Sequence, residues 1–160
     1  MIEYDVLYKE VKDKLTENRF SHSLGVVKRA LEYANIYHID CKIVQLVAIA
    51  HDIAKDLSKE EITCYLHKYN IELDTIEQLN PNLLHAKIGA AIVKDKYGFT
   101  PDMVNAVRYH TTGRENMSLL EKIIYLADAT EENRKYCSKE YVDLIKKDID
   151  KGIIEINKWV

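Results

Sequence analysis

Apolar residues recur along this chain at spacings of three and four, with polar residues between them, instead of alternating as they do in strands. Such a period gives each helix one apolar stripe and predicts an all-α chain. Val6, Val11 and Leu15 mark a first helix; Leu24, Val27, Leu31 and Ala34 a second; Val44, Val47 and Ala50 a third that runs into His51-Asp52. Ser58 with Glu61 reads as a capping box opening a fourth helix to about Tyr69, and residues 71–84, which include Pro81, read as irregular. A further helix covers His85 to Tyr97 and stops at Gly98. Pro101 suits the first turn of the next, which ends near His110, and Thr111-Thr112-Gly113 breaks the pattern. Ser118 with Glu121 reads as a second capping box, before a helix whose Leu119, Ile123, Leu126 and Ala127 lead to Asp128. A final helix runs from about Lys139.

The 160 residues suffice for one domain with its own core, and without repeats, low-complexity segments or linker-like stretches residues 1–160 are expected to form that single domain. Apolar residues at 47% and charged residues at 31% suit a globular protein in water. A net charge of −3 argues against a sequence-independent nucleic-acid binder, which needs a basic face. Cys41, Cys64 and Cys137 are odd in number and far apart, so neither a disulfide framework nor a cysteine zinc site is expected. The acidic N-terminus lacks the marks of a secretory leader and no apolar run reaches membrane length, so the expectation is a cytoplasmic chain with no membrane partner. Amphipathic terminal helices serve monomers and a homodimer equally.

Candidate chemistry lies in the histidines and two aspartates. His22 falls near a helix start, His51-Asp52 at a helix end, His85 at a start, His110 at an end, and Asp128 late in another helix. A lone His-Asp pair is weak evidence, but helix ends converge on clefts. Imidazole and carboxylate are the donors that borderline divalent cations such as iron, manganese, cobalt or zinc prefer. Six donors exceed the needs of one ion, and a carboxylate can bridge two, which makes Asp52 the bridging candidate in a binuclear centre. Such a centre suits hydrolysis of phosphate esters and anhydrides. His38 and His67 lack matching context and read as ordinary helix-face or surface residues.

The ordered set His22, His51-Asp52 and Asp128 resembles the H…HD…D pattern of the HD superfamily. Residues 19–26, 50–55, 85–90 and 123–128, and above all Arg108-Tyr109-His110-Thr111-Thr112-Gly113-Arg114, resemble its YqeK-type subgroup of bacterial symmetrical diadenosine tetraphosphate hydrolases over nearly the whole chain. The resemblance implies a helical HD-type bundle. It also implies one metal held by His22, His51, Asp52 and Asp128, a second completed by His85 and His110 beside Asp52, and iron as the metal. It implies cleavage of diadenosine tetraphosphate into two ADP, which we read as attack by a metal-bound hydroxide with no protein nucleophile, His51 and Asp52 being the central pair. One departure is visible: Glu131-Glu132-Asn133-Arg134 stands where the subgroup usually has Glu-Pro-x-Arg, with Arg134 retained.

A tetraphosphate needs cations beyond the metals, and Lys55, Arg114 and Arg134 are the candidates, with Thr112 and Gly113, and Thr111 beside them, as contacts from the intervening loop. Tyr109 and Tyr125, next to motif residues, are candidates to stack on a base. The rival readings are another HD nucleotide phosphohydrolase such as a nucleotidase or deoxynucleoside triphosphate hydrolase, an HD-type di-iron oxygenase, and a nucleotide-sensing module without turnover. The His110–Arg114 segment speaks against the first, the candidate cations against the second and the six complete ligand positions against the third.

Overall fold

The computed structural model describes residues 1–159. Ten α-helices follow one another among them: α1 (Tyr4–Lys14), α2 (Glu17–Tyr37), α3 (Cys41–Ala50), α4 (Lys59–Lys68), α5 (Thr75–Leu79), α6 (Leu84–Tyr97), α7 (Pro101–Arg108), α8 (Leu119–Thr130), α9 (Lys139–Lys147) and α10 (Ile149–Asn157), with a 3₁₀ turn at Pro81–Leu83. The all-α expectation holds. Among the described residues no helix is long and apolar enough to cross a membrane.

Helix α3 is apolar nearly all round, with Val44 and Leu46 through Ala50 buried, so it forms the central rod against which α1, α2, α7 and α8 pack. Helix α2 lies along both α3 and α8, and α6 lies on α7. The Tyr33 hydroxyl and Thr130 Oγ1 share a hydrogen bond of 2.7 Å that ties α2 to the end of α8. Burial pushes the Tyr33 phenol up to about 12, so it stays neutral there.

Four details differ from the periodicity reading. In α1 the buried stripe is Leu7, Val11 and Leu15, at i, i+4 and i+8, while Val6, one position out of phase, is 49% exposed. Residues 71–84 are not wholly irregular, because Asp74 and Glu77 form a reciprocal capping box that starts α5. The Ser58–Glu61 box is reciprocal as expected, but at α8 only half of one forms: Ser118 Oγ accepts the Glu121 N–H, and the Glu121 carboxylate turns to Arg114 instead. The final helix is two. Asp148 ends α9 in an extended conformation and its side chain accepts the Lys151 N–H at the start of α10. Gly152 lets the two meet, since a Cβ there would lie 2.6 Å from Ile145 Cγ1.

Candidate metal centre

Helices α2, α6 and α8 and the turns after α3 and α7 bring His22, His51, Asp52, His85, His110 and Asp128 to one cluster. His51 and Asp52 stand immediately past α3, where tight turns bonding Ile53 N–H to Ala50 and Lys55 N–H to Asp52 replace the helical ladder. His85 is the second residue of α6, His110 stands two beyond α7, His22 is on α2 and Asp128 on α8. The ligating atoms of His22, His51 and Asp128 lie within 4.8 Å of one another, and so do those of His51, Asp52 and His110.

Asp52 divides this cluster. Its Oδ1 lies 3.2 Å from both His85 Nε2 and His110 Nε2, while its Oδ2 lies 3.4 Å from His51 Nε2 and 3.8 Å from His22 Nε2. Asp128 Oδ1 completes the second side, 2.9 Å from His22 Nε2 and 3.8 Å from His51 Nε2. One carboxylate thus turns each of its oxygens to a different pair of rings.

All four rings present the same nitrogen, three of them for a local reason. His51, His85 and His110 each donate Nδ1–H to the carbonyl three residues earlier, those of Ala48 (2.7 Å), Asn82 (2.6 Å) and Val107 (2.7 Å). His22 donates Nδ1–H to the Glu131 carboxylate at 3.2 Å. Each ring is thereby fixed with Nε2 inward as a lone-pair donor, the outer-sphere arrangement that orients metal-binding histidines. Glu131 is buried and its other oxygen accepts the Asn133 N–H at 3.1 Å. Gly25 of α2 makes room for it, because a Cβ there would overlap the carboxylate.

The electrostatics suit cations. His85 and His110 bring two lone-pair nitrogens to 3.2 Å of each other and of the same carboxylate oxygen, and His51 Nε2 is buried without any hydrogen-bond partner. An unsatisfied buried polar atom costs about 1–3 kcal/mol, so a set of converging acceptors with an orphan among them fits an ion. Imidazole nitrogens and carboxylate oxygens are the donor types for borderline divalent cations. Burial disfavours a charged His51, but without a cation the adjacent Asp52 and Asp128 override it and raise the imidazole to about 9, so a bound cation would take the place of the proton on Nε2. Burial likewise opposes ionisation of Asp52 and Asp128, yet the surrounding imidazoles hold both well below the usual carboxylate range. Burial lowers His85 and favours its neutral ring.

The remaining candidates divide. Arg134 reaches the cluster, with Nη2 3.2 Å from His22 Nε2 and 3.1 Å from Asp128 Oδ1. Lys55 is half-buried, close enough for its charge to disfavour protonation of His85. Arg114 is committed elsewhere: it grips the buried Glu121 with both Nε (2.9 Å) and Nη2 (2.6 Å) and lies over the Tyr109 ring. Thr112 is exposed, Gly113 takes the left-handed conformation at φ 65°, and Thr111 Oγ1 is enclosed without a partner. His38 and His67 are exposed at helix ends. Two residues at the cluster were not singled out from sequence. Arg19 donates to Asp52 Oδ2 at 3.1 Å, and Glu131 orients His22. Arg19 opens the same motif as His22, and Glu131 is the acidic residue three positions after Asp128, so both signals were present.

The model of the HD domain matches residues 19–133. A Bacillus subtilis (strain 168) protein named symmetrical bis(5'-nucleosyl)-tetraphosphatase is 38% identical over 91% of this chain and 78% of its own. A protein of the same name from Halalkalibacterium halodurans is 41% identical over 90% of this chain and 78% of its own. A crystal structure from Clostridium acetobutylicum, titled a predicted HD superfamily hydrolase involved in NAD metabolism, superposes with a TM-score of 0.88 at 36% identity, covering 97% of this chain and 83% of that one.

Proposed function

We propose, given that this chain belongs to the HD domain family, that it is a metal-dependent phosphohydrolase that cleaves diadenosine tetraphosphate symmetrically into two ADP, residues 1–160 acting as one HD domain. The relatives that carry this activity in their names support the substrate. The observation that carries the reading is the division of Asp52, whose two oxygens face different histidine pairs as a bridge between two cations requires.

In this reading His22, His51, Asp52 and Asp128 hold one divalent cation, and His85, His110 and Asp52 hold the other. Iron is the proposed metal, manganese, cobalt and zinc having the same donor preferences. When bound, such cations would supply Lewis acidity to a phosphoryl oxygen and would make a water more acidic.

The chain's own residues do the rest. The Nδ1–H bonds to Ala48, Asn82, Val107 and Glu131 hold the four rings in one tautomer. Arg134 and Arg19 stand at the edge of the cluster with guanidinium forks suited to phosphate oxygens, and Lys55 adds a third positive charge. Thr112 and Gly113, on the loop after His110, are proposed as further substrate contacts. Arg114 contributes through the turn it braces on Glu121. Water adds to an inner phosphorus, the bond from that phosphorus to the oxygen of the other inner phosphate breaks, and each half departs as ADP. No side chain is needed as nucleophile. We place this work in the cytoplasm, on a small-molecule nucleotide and without a nucleic-acid partner.

Anion-exchange analysis of products from the iron-loaded protein and diadenosine tetraphosphate tests the reading. ADP as sole product, abolished in Asp52→Asn, is the expected result. AMP with ATP would mean asymmetric cleavage and overturn it, and a protein that binds the nucleotide without cleaving it would favour the sensing module.

A further inference from the structure

We propose that Glu77 is a positioning residue for the His85–His110 side of the cluster, and that it governs the cation held there while leaving the other cation alone. From Ile71 to Leu83 it is the one residue that the fold buries. Glu77 is 5% exposed, whereas its neighbours on α5, Ile76 and Leu79, are 63% and 75% exposed. The segment therefore inverts the usual arrangement, burying a charge and showing apolar residues to solvent. A carboxylate is costly to desolvate, and an apolar side chain in its place often holds a segment at least as firmly. What the carboxylate adds is direction, through hydrogen bonds to chosen partners.

Those partners belong to the two helices that present the second pair of rings. Lys87 Nζ of α6 donates to Glu77 Oε2 at 2.7 Å and to the Glu72 carbonyl at 2.7 Å, and Arg108 Nη2 of α7 donates to Glu77 Oε1 at 3.0 Å. Lys87 stands two residues after His85, and Arg108 two residues before His110. Side chains two apart on a helix point about 200° from each other, so Lys87 leaves α6 on the side away from His85. Glu77 thus joins the two elements from outside the cluster.

The same carboxylate fixes what precedes His85. Its Oε2 also accepts the Asp74 N–H at 3.1 Å and closes the capping box of α5. From α5 the backbone is tied onward by Asn80 N–H to Ile76 (2.9 Å) and Leu83 N–H to Asn80 (3.0 Å) into the 3₁₀ turn, whose Asn82 carbonyl accepts His85 Nδ1–H. Anchoring the segment keeps that carbonyl, and with it the His85 ring, in place. His22 and His51 have no such dependence, since their Nδ1–H bonds go to Glu131 and to Ala48 of α3.

This inference rests on the two-cation part of the hydrolase reading and not on the reaction. Its test is equilibrium dialysis against manganese buffered by a weak chelator, at a free level where the parent protein holds two cations per chain. Glu77→Gln is expected to hold about one there, and to need roughly 10-fold or more free manganese to regain the second, the loss that follows when an outer partner of a ligand is removed. Lys87→Met, which keeps the Arg108 bond, is expected to shift the same cation by less, and it carries the test if Glu77→Gln does not show a helical circular dichroism spectrum. Adding Glu77→Gln to His85→Ala is expected to leave the remaining cation's affinity unchanged, because both changes act on one site. A merely structural role would weaken both cations together. Equal weakening of both, unchanged affinity for both in Glu77→Gln and Lys87→Met, or a further loss in the double variant would overturn the assignment. A parent chain that saturates at one cation would remove the binuclear reading and this inference with it. Selective loss as described, in a protein that does not cleave diadenosine tetraphosphate, would remove the hydrolase reading and leave Glu77 in its role.

Discussion

Gly25 lies inside α2, where alanine is ordinarily the better residue by about 0.8–1 kcal/mol. A methyl group there nevertheless meets Glu131: it overlaps Oε2 and comes within 3.2 Å of Cδ. Carbon contacts are comfortable near 3.5–4.0 Å, so the carboxylate has to retreat by roughly 1 Å. It has no slack to do so, because Oε1 accepts from His22 at 3.2 Å and Oε2 from the Asn133 N–H at 3.1 Å. Losing one hydrogen bond to a charged group costs about 1.5–3 kcal/mol, more than the helix gains. The larger consequence is for His22, whose ring loses the contact that fixes its tautomer, and loss of such an outer partner typically weakens metal affinity about 10- to 100-fold. Gly25→Ala is therefore expected to bind metal 10- to 100-fold more weakly in a chelator competition at fixed pH. Combining it with Glu131→Asp, which shortens the stem, should recover part of that loss. If Gly25→Ala melts higher than the parent and binds metal equally well, Glu131 does not position His22 and the reasoning fails.

Three further outcomes follow from other contacts. Arg114→Ala leaves the Glu121 carboxylate buried without its fork, so stability should fall by about 1–3 kcal/mol, and Glu121→Gln in the same chain should restore most of it. A raised KM with an unchanged melting temperature would instead assign Arg114 to substrate. Chelating the metals should lower the melting temperature, by the equivalent of about 2.7 kcal/mol from a starting free metal at a hundred times its Kd. A melting curve indifferent to chelator would contradict the site. Burial works against an ionised Glu77, but Lys87, the Asp74 N–H and Arg108 hold its carboxyl below the usual 4.5. Its contribution is present above that value and lost as pH falls through the lower, folded one. Glu77→Gln should thus be less stable at neutral pH, with the gap closing in acid urea melts, and a gap that widens in acid would refute the assignment.

How much of this was legible in sequence depended on whether a feature carried a period or a motif. Helices α2, α3 and α8 each bury a regular stripe, and the periodicity found them. The break at Asp148 was invisible because Tyr141, Ile145 and Ile149 continue one stripe in phase across it, and only Gly152, pressed on Ile145, marks the corner. Helix α5 is five residues long and starts from a capping box that stands in a stretch without periodicity, so its signal was polar. The same limit applied to the cluster. His22, His51, Asp52, His85, His110 and Asp128 stood in recognisable motifs at helix ends, and the structure brings them together. Arg19 and Glu131 stand in or beside the same motifs, but they act through contacts 33 and 109 positions away, and spacing alone does not name those partners. The Glu121 of the apparent second capping box shows the converse, a local motif overridden by Arg114, whose fork reaches both carboxylate oxygens.

The bridging role of Asp52 is tested most directly by counting metal in protein purified without added chelator. Elemental analysis is predicted to find two divalent cations per chain, with His85→Ala losing one and Asp52→Asn losing both, while circular dichroism shows each variant helical. A parent protein that saturates at one cation, or an Asp52→Asn variant that still holds two, would contradict the binuclear account.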